Sequence, residues 1–267
     1  MNNWLSKQSQ INTEQWDRSL TTFYPESKKW MNDPLAYLHR LTVECNYLTA
    51  AKLIDWDNYL TVKSKVLDVG CGGGWLTAYL SQNKKIEKIM AIDSSENYLK
   101  NYLPSVVSEL NGDLSKIEAI QGLFTPILLA NESIDLIVIS SAMHHAESMG
   151  SLLDEFKRVL KPKGHLIILN ENPIDNFSYM YKITKAFVNT FVKTAIQKYN
   201  PYVQKISSGG LLYDPYLGDV IYPQWYWQKA ICASGFDLVQ LFDSKLAPLA
   251  AMSGKRNNSL KHFICRK

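Results

Sequence analysis

The sequence predicts an α/β fold in which an open, largely parallel sheet is flanked by helices. Seven short apolar runs bounded by turn signals are typical of strands, and most are separated by segments in which apolar residues recur at helical spacing. A glycine-rich stretch at 65–75 (KVLDVGCGGGW) joins the first strand to a helix. This stretch organises the rest of the chain, because a bend of this kind lies at the ligand-binding edge of a parallel sheet.

In the glycine-rich stretch, the buried strand ends near Val69 and glycines follow at 70, 72, 73 and 74. A backbone without Cβ atoms adopts positive φ and lets a ligand touch it directly. The helix that begins at Trp75 offers unpaired N–H groups to an anionic or polar ligand group. A dinucleotide-binding fingerprint would have a third glycine at position 75, where this chain has Trp75. A P-loop would have a lysine after its last glycine, and no lysine follows here. The stretch therefore matches neither motif. A purely structural turn that packs a helix on the sheet is the alternative.

Composition indicates a soluble globular protein, with 46% hydrophobic and 20% charged residues among 267. The net charge of +4 is too small and too scattered for a nucleic-acid surface, and no apolar run is long enough to span a bilayer. The N-terminus lacks the apolar core of a signal peptide. The four cysteines are far apart, which favours neither a metal site nor a disulfide framework. We therefore expect a cytoplasmic protein.

Residues 1–60 are predicted to form a helical N-terminal cap. Asp33 followed by Pro34 is a good helix start, and apolar spacing predicts one helix from about 34 to 54. We expect most of the aromatic residues in this segment to lie in the core. The alternative is that some of them line a substrate pocket. These residues are Trp16, Phe23, Tyr24, Trp30 and Tyr37.

The second strand, 86–93, ends in Asp93, 25 positions after Asp68. A carboxylate at this place in a βαβ nucleotide fold accepts the hydroxyl protons of a ribose. The alternative is that Asp93 caps the next helix, where Ser94 and Ser95 are equally suited. The third strand, 117–121, is followed by Leu123 and Phe124.

The fourth strand, 133–141, is followed by His144 and His145, which are expected at the ligand-binding edge. A helix, the sequence Lys-Pro-Lys-Gly at 161–164 and a fifth strand at 165–170 come next. The chain ends with a helix from Pro223 to Gly235 and strands at 236–242 and 260–265.

The Asp68-x-Gly70-x-Gly72-x-Gly74 pattern, the fourth strand, the Lys-Pro-Lys-Gly return and the C-terminal elements together resemble class I S-adenosylmethionine-dependent methyltransferases of the small-molecule type. The resemblance implies a Rossmann-like seven-stranded sheet, mostly parallel with the last strand antiparallel. It covers about residues 62–170 and 222–267, and we therefore predict an S-adenosylmethionine-binding core at 61–172 and a C-terminal part of the core at 222–267. It also implies S-adenosylmethionine as methyl donor, with S-adenosylhomocysteine as product.

The cofactor-binding residues that the resemblance implies are Asp68, Gly70, Cys71, Gly72, Asp93, Ser94, Leu123, Phe124 and Ser140. Many relatives carry an acid for the adenine amino group where this chain has Leu123, so here backbone N–H groups and apolar packing would hold the adenine.

Residues 173–221 have no counterpart in this resemblance, and they are rich in aromatic residues. An apolar stripe predicts a helix between Pro173 and Tyr199, formed by Met180, Ile183, Phe187, Phe191 and Ala195. Residues 200–222 are predicted to form a loop. An insertion here predicts a helical lid over the substrate, with a dimer contact or a packing extension as the alternative.

Methyl transfer from a sulfonium is an in-line displacement, so the protein aligns the reactants and excludes water. An acceptor that must lose a proton needs a base, and His144 and His145 are the candidates, with a structural role for one of them as the alternative. Glu171 is a candidate for binding an amine substrate, for the base or for capping the next helix. Tyr213 and Tyr222 are weaker substrate-binding candidates, and Tyr222 is equally suited to packing. No metal site is expected.

These features predict a methyltransferase that acts on an O, N or C nucleophile of a small molecule, such as a secondary metabolite or a lipid or cofactor precursor. The alternatives are a tRNA or protein methyltransferase and a non-catalytic S-adenosylmethionine-binding protein. No nucleic-acid partner and no membrane span are expected, and a homodimer is compatible with the sequence.

Overall fold

The computed structural model describes residues 1–7, 32–196, 205–206, 210–213, 220–247 and 259–267. The centre of the fold is one eight-stranded sheet. Its strands, in chain order, are β1 (Asn2–Asn3), β2 (Ser64–Val69), β3 (Ile86–Asp93), β4 (Ile117–Gln121), β5 (Ile134–Ser140), β6 (Leu160–Glu171), β10 (Asp237–Asp243) and β11 (Lys261–Arg266), and a separate small sheet holds β7 (Lys205–Ile206), β8 (Leu212–Tyr213) and β9 (Val220–Ile221).

The spatial order of the main sheet is β1-β4-β3-β2-β5-β6-β11-β10. The pairings from β1 to β6 are parallel, and β11 is antiparallel to both β6 and β10. The Rossmann-like sheet with an antiparallel last strand is therefore confirmed. The predicted count of seven strands is one too few, because Asn2 and Asn3 pair with the edge of β4. Two polar residues carry no strand pattern, so this short strand was not predictable from periodicity.

Helices cover both faces of the sheet. Those with α-helical geometry are α1 (Pro34–His39), α2 (Tyr47–Ala51), α3 (Trp75–Ser81), α4 (Leu103–Glu109), α5 (Met149–Val159), α6 (Asn176–Ile196) and α7 (Gln224–Ala233). Alternate residues of β2 face opposite cores: Leu67 and Val69 belong to one buried cluster, and Val66 belongs to the other. A strand buried on both faces explains the continuous apolar run, as expected for a parallel sheet covered on both sides.

The N-terminal segment differs from the single helix predicted at 34–54. Helix α1 begins as expected, with the Asp33 side chain accepting a hydrogen bond from the Leu35 backbone N–H at 2.8 Å. A π-helical turn at Arg40–Glu44 follows, and then Asn46 adopts a left-handed conformation with φ of 60°. Its side chain donates to the Ala247 carbonyl oxygen at 2.9 Å, a contact distant in sequence that periodicity does not reveal. Trp16, Phe23, Tyr24 and Trp30 lie outside the described residues.

The return from α5 to β6 is tighter than predicted. Helix α5 ends at Val159 and β6 begins at Leu160, so the Lys-Pro-Lys-Gly sequence lies within the strand rather than before it. Lys163 takes φ of 67°, and a Cβ on Gly164 would lie 2.9 Å from the Lys161 carbonyl oxygen. At the C-terminal end, α7 stops before Gly235, whose φ of 76° is the predicted left-handed stop.

The insertion after β6 contains the predicted helix, but the predicted loop and part of the predicted buried face of the helix differ from the structure. The region predicted as a loop contributes β7, β8 and β9, which pair in antiparallel order but are only two residues long each. Strands this short leave no alternation in the sequence. On α6, Met180 and Phe187 are 61% and 56% exposed, whereas Tyr179 and Ala186 are buried against Leu212. Only part of the predicted stripe thus packs on the small sheet: Ile183 is partly buried against this cluster, and the side chains of Phe191 and Ala195 lie outside the described structure.

None of the helices within the described part of the chain has the combined length and apolar character that crossing a bilayer requires.

Candidate functional site

The carboxyl ends of the parallel strands meet at one edge of the sheet, as they do in ligand-binding doubly wound folds. The loops at this edge follow β2, β3, β4 and β5, and residues from all four loops border two cavities. The site is therefore assembled from turns that the sheet holds in fixed register.

The glycine-rich turn after β2 is shaped by close contacts. Gly70 has φ of 67°, and a Cβ there would lie 2.8 Å from the Ala142 Cβ and 3.0 Å from Phe124 Cε1. Gly74 has φ of 81°, and its added Cβ would lie 2.0 Å from Leu103 Cδ1. Both positions thus require glycine, because the backbone is left-handed there and because a Cβ atom would not fit.

Tyr37 covers the middle of this turn. Its hydroxyl oxygen accepts a hydrogen bond from the Gly73 backbone N–H at 3.0 Å, and a Cβ on Gly72 would lie 2.3 Å from the same oxygen. Gly72 lines neither cavity. A tyrosine of α1 thus fills the space that the missing Cβ of Gly72 leaves, and the contact of Gly72 with a ligand stays a prediction.

Asp68 lies near the end of β2 with only 1% of its surface exposed. Its Oδ2 atom accepts a hydrogen bond from the Thr77 hydroxyl at 2.6 Å. Burial raises the pKa of the Asp68 carboxyl to about 7, against the lowering effect of the bonds from Thr77 and with a further increase from the nearby Asp93. The carboxyl thus has no cation to offset its desolvation within the described structure.

Asp93 ends β3 and connects two turns. Its Oδ2 atom accepts from the Gly72 backbone N–H at 2.8 Å, and its Oδ1 atom accepts from the Ser95 backbone N–H at 2.9 Å. The second bond closes a local turn and does not cap the next helix, because the first turn of that helix is bonded by Ser95, whose hydroxyl oxygen accepts from the Tyr98 backbone N–H at 3.5 Å. Asp93 also lines the larger cavity, so the local turn and a ligand contact are compatible roles.

The smaller cavity has a volume of about 170 Å³ and contains four of the predicted cofactor residues. Its lining comprises Asp68, Gly70, Cys71, Ser140 and Ser141 from the sheet edge, together with Tyr37, Leu41, Tyr47, Trp75, Leu76 and Tyr98. Most of the wall is aromatic or aliphatic.

The larger cavity, of about 610 Å³, contains Asp93, Ser94, Leu123, Phe124 and His145 of the predicted site. Gly70, Tyr98 and Ser141 border both cavities, so the two volumes adjoin. The arrangement suits an elongated ligand with a polar centre and one end in each cavity. No group of three or more metal-ligating side chains occurs among the residues with described positions.

Glu171 and His144 form a pair at the ends of β6 and β5. Glu171, 2% exposed, accepts at Oε1 from the backbone N–H groups of Ala142 and Met143, at 3.1 and 2.9 Å. Its Oε2 atom lies 2.9 Å from His144 Nδ1. Glu171 thus caps the short helical turn Met143–His145 and not the following helix, and its burial argues against direct substrate binding. The carboxylate therefore orients His144, whereas His145 lines the larger cavity and His144 lines neither cavity.

The structure describes the side chain of only one of the two tyrosines that were predicted to bind substrate, Tyr222. Tyr222 is buried in the main core, where its ring stacks on Tyr226 with centroids 4.9 Å apart, and it borders neither cavity. Burial raises the pKa of its hydroxyl to about 12. The packing alternative is therefore correct for Tyr222. Tyr213 pairs through its backbone with Lys205 and Val220, and its side chain lies outside the description.

Sequence reasoning missed Tyr47, Trp75, Tyr98 and Ser141 as site residues. Tyr47 and Tyr98 sit on separate short helical segments, and nothing in local spacing indicates that both reach the glycine-rich turn. Ser141, directly after β5, has φ of 48°, and a non-glycine residue in this conformation at a strand end is a signal that only coordinates provide.

Comparison with known protein families places two models on the chain. A model described as a methyltransferase domain matches residues 67–168, which run from β2 into β6. A model of protein-L-isoaspartate(D-aspartate) O-methyltransferase matches residues 9–109.

Two curated relatives each match less than half of the chain. A demethylmenaquinone methyltransferase of Bacillus velezensis is 28% identical over 117 residues, which are 43% of this chain and 49% of that protein. A malonyl-[acyl-carrier protein] O-methyltransferase of Methylovorus sp. is 31% identical over 110 residues, 40% of this chain and 37% of that protein. The chain thus spans about half or less of the length of these relatives.

Solved structures share the fold at low identity. A 1,6-didemethyltoxoflavin-N1-methyltransferase of Burkholderia thailandensis, solved with 1,6-didemethyltoxoflavin and S-adenosylhomocysteine, has a TM-score of 0.59 and 14% identity, covering 96% of this chain and 90% of that one. A SAM-dependent methyltransferase from Aquifex aeolicus has a TM-score of 0.53 and 19% identity, covering 88% of this chain and 98% of that one.

Proposed function

We propose that this chain, whose core is a class I S-adenosylmethionine-dependent methyltransferase domain, transfers a methyl group from S-adenosylmethionine to a small molecule. The observation that carries the proposal is the position of Asp93. Its carboxylate is fixed by backbone N–H groups of two turns and borders the larger cavity. A carboxylate held in this way accepts charge-assisted hydrogen bonds from a ribose diol at a low entropic cost.

The rest of the donor is proposed to follow the two cavities. Leu123 and Phe124 would hold the adenine in the larger cavity, and Gly70 and Ser140 would hold the methionine end in the smaller cavity. When bound, the donor would supply an activated methyl group for in-line transfer to the acceptor. The protein's contribution is alignment and the exclusion of water, since the donor is already activated.

An acceptor that carries a proton needs a base, and His144 is proposed for this role; it borders neither cavity itself, but its side chain is 34% exposed beside His145, which lines the larger cavity. When Nδ1–H donates to Glu171, Nε2 keeps its lone pair and is able to accept a proton. The nearby carboxylate also stabilises the imidazolium that forms. Glu171 is a positioning residue in this scheme, because it touches the histidine and the turn rather than the substrate.

A small-molecule acceptor is supported by the chemistry that the relatives' names give, which includes demethylmenaquinone, ubiquinone biosynthesis and malonyl-[acyl-carrier protein]. The cytoplasm is the compartment that we propose. A protein acceptor is the second candidate, and the match of residues 9–109 to a protein carboxyl methyltransferase model favours it over a tRNA acceptor.

Calorimetry with S-adenosylhomocysteine tests the donor site. We expect Asp93→Ala to weaken binding about 10- to 100-fold, the range for losing charged hydrogen bonds. Asp113→Ala is a matched control, because Asp113 also accepts from a backbone N–H two residues on, at 3.0 Å, but borders neither cavity. Equal affinities of the Asp93→Ala variant and the wild type would remove the ribose assignment.

The acceptor class is tested by incubation with a methyl-labelled donor. A small-molecule methyltransferase labels components of a protein-free metabolite extract. Label that appears only in a peptide mixture, at acid- or base-labile esters, supports the protein acceptor instead.

A further inference from the structure

Helix α6 has apolar side chains on two sides, and the described structure packs against one of them. The inner side, formed by Tyr179, Ile183 and Ala186, lies against Leu212 of the small sheet. A helix on the surface of a globular protein normally carries polar and charged residues on the side opposite its packed face. The other side of α6 departs from this rule.

The outer face of α6 is the row formed by Phe177, Met180, Tyr181, Thr184 and Val188. Its four large apolar side chains are between 52% and 76% exposed. The spacings of three, four and seven residues place them on one side of the helix, along about 16 Å at 1.5 Å per residue. The Thr184 hydroxyl donates to the Met180 carbonyl oxygen at 2.9 Å, so the helix itself satisfies the one polar side chain of this row.

The charged residues of α6 are all of one sign. Its sequence contains three lysines and neither aspartate nor glutamate. Lys182 and Lys185 lie along one flank of the outer face, and neither forms an ion pair with a carboxylate in the described part of the chain. The nearest acid in the sequence, Asp175, accepts from the Ser178 backbone N–H at 2.9 Å and thus caps the start of the helix. A partner that is both apolar and negatively charged complements this combination.

We propose that the outer face of α6 docks onto a lipid bilayer that carries anionic headgroups. Helices that bind a bilayer in this way lie in the plane of its interface, bury aromatic and aliphatic side chains at the headgroup boundary and place lysines among the headgroups. A single exposed row suits a fluid surface, whereas a stable protein partner needs a complementary surface of about 1,000 Å² or more.

The docking surface is separate from the donor site. No residue of the outer face borders either cavity, so the inference goes beyond the proposed function and does not depend on it. The helix follows β6, which ends with Glu171 at the ligand-binding edge of the sheet. Docking through α6 therefore places the bilayer on the side of the protein where the acceptor enters.

Cosedimentation with lipid vesicles tests this inference on the full chain. The wild type should bind vesicles of phosphatidylcholine and phosphatidylglycerol, and added salt should weaken the binding because it screens the lysines. The double variant Phe177→Gln, Tyr181→Gln should weaken binding about 10-fold or more, the effect of two aromatic side chains that no longer enter the bilayer. The double variant Lys182→Gln, Lys185→Gln should weaken it about fivefold or more, and should not alter binding to vesicles of phosphatidylcholine alone.

Matched controls are available at the opposite edge of the sheet. Val62 and Leu114 are 80% and 53% exposed, and they precede β2 and β4. The double variant Val62→Gln, Leu114→Gln should bind vesicles like the wild type. Calorimetry with S-adenosylhomocysteine on every variant reports whether the protein is folded, and it separates a failure of docking from a failure of the proposed function.

Three results would overturn the inference. The first is a wild type that does not sediment with the anionic vesicles. The second is equal vesicle binding by the wild type and the Phe177→Gln, Tyr181→Gln variant. The third is a wild-type dimer in analytical ultracentrifugation that this variant converts to a monomer without a change in vesicle binding, because the outer face would then be an interface between two copies of the chain.

Discussion

His144 Nδ1 lies 2.9 Å from Glu171 Oε2, and the other oxygen of Glu171 accepts from the backbone of the turn that carries His144. One buried carboxylate therefore fixes both the position of the turn and the orientation of the imidazole. This relationship separates the two histidines, which the sequence placed side by side without a physical difference.

The base assignment predicts different kinetic effects for the two members of this pair. His144→Gln lowers kcat by about 100-fold or more, the usual contribution of general base catalysis. Glu171→Gln keeps the histidine but loses the carboxylate that orients it, so we expect kcat to fall less than in His144→Gln, with little change in KM. A Glu171→Gln variant with the kcat of the wild type would remove Glu171 from its positioning role.

His145→Gln is the comparison for this pair, because its ring lies next to His144 with centroids 4.1 Å apart but is not the one held by Glu171. We expect its effect to fall on KM more than on kcat, since His145 lines the larger cavity.

Asp68 predicts a pH dependence of stability. Burial raises its folded pKa to about 7, above the ordinary value, so the folded state binds the proton more tightly than the unfolded state. The contribution of Asp68 to the free energy of unfolding is fully present below about pH 4 and is lost as the pH rises through 7. Its size is about 1.36 kcal/mol for each unit by which the folded pKa exceeds the unfolded pKa. Urea unfolding should therefore show that Asp68→Asn gains stability relative to the wild type between pH 5 and pH 8. A pH-independent difference would contradict this account, and Asp113→Asn, exposed and with a lowered pKa, serves as the flat control.

Tyr37→Phe tests the cover over the glycine-rich turn. The variant keeps the ring but leaves the Gly73 N–H without the acceptor it has at 3.0 Å. We expect a loss of about 1–3 kcal/mol in the free energy of unfolding, the cost of an unpaired buried donor. Tyr59→Phe should change the free energy by much less, and similar losses in both variants would show that the Gly73 bond is not the cause.

Gly74→Ala tests the packing of the turn. The added Cβ would lie 2.0 Å from Leu103 Cδ1 at φ of 81°, so both space and backbone conformation oppose it. We expect a loss of about 1–3 kcal/mol. Gly150→Ala is the opposite control, because no atom lies within 4 Å of its added Cβ and the residue is in α5, where alanine is favoured by up to about 1 kcal/mol. Equal destabilisation of the two variants would be the contrary result.

The sheet was predictable because its signals are local. β3 and β4 have the predicted bounds, since each is an apolar run closed by turn residues, and the spacing of Gly70 and Asp93 follows from the βαβ geometry. The carboxyl ends of these strands must meet at one edge, so the ligand-binding side was predictable too.

The remaining features depend on contacts that are distant in sequence. The left-handed turn at Asn46 is held by Ala247, the cover on Gly73 comes from Tyr37, and the role of Glu171 depends on the turn after β5. None of these contacts leaves a period or a spacing. The prediction of which face of α6 is buried was only partly correct for a related reason. Aromatic residues occur on more than one side of the helix, and only the position of Leu212 decides which side is buried.

A crystal structure of the protein with bound S-adenosylhomocysteine tests the central claim most directly. We expect both ribose hydroxyl groups within hydrogen-bond distance of the Asp93 carboxylate, the adenine against Leu123 and Phe124, and the amino group in the cavity beside Asp68. A ligand bound away from this edge of the sheet, or a ribose that does not contact Asp93, would contradict it.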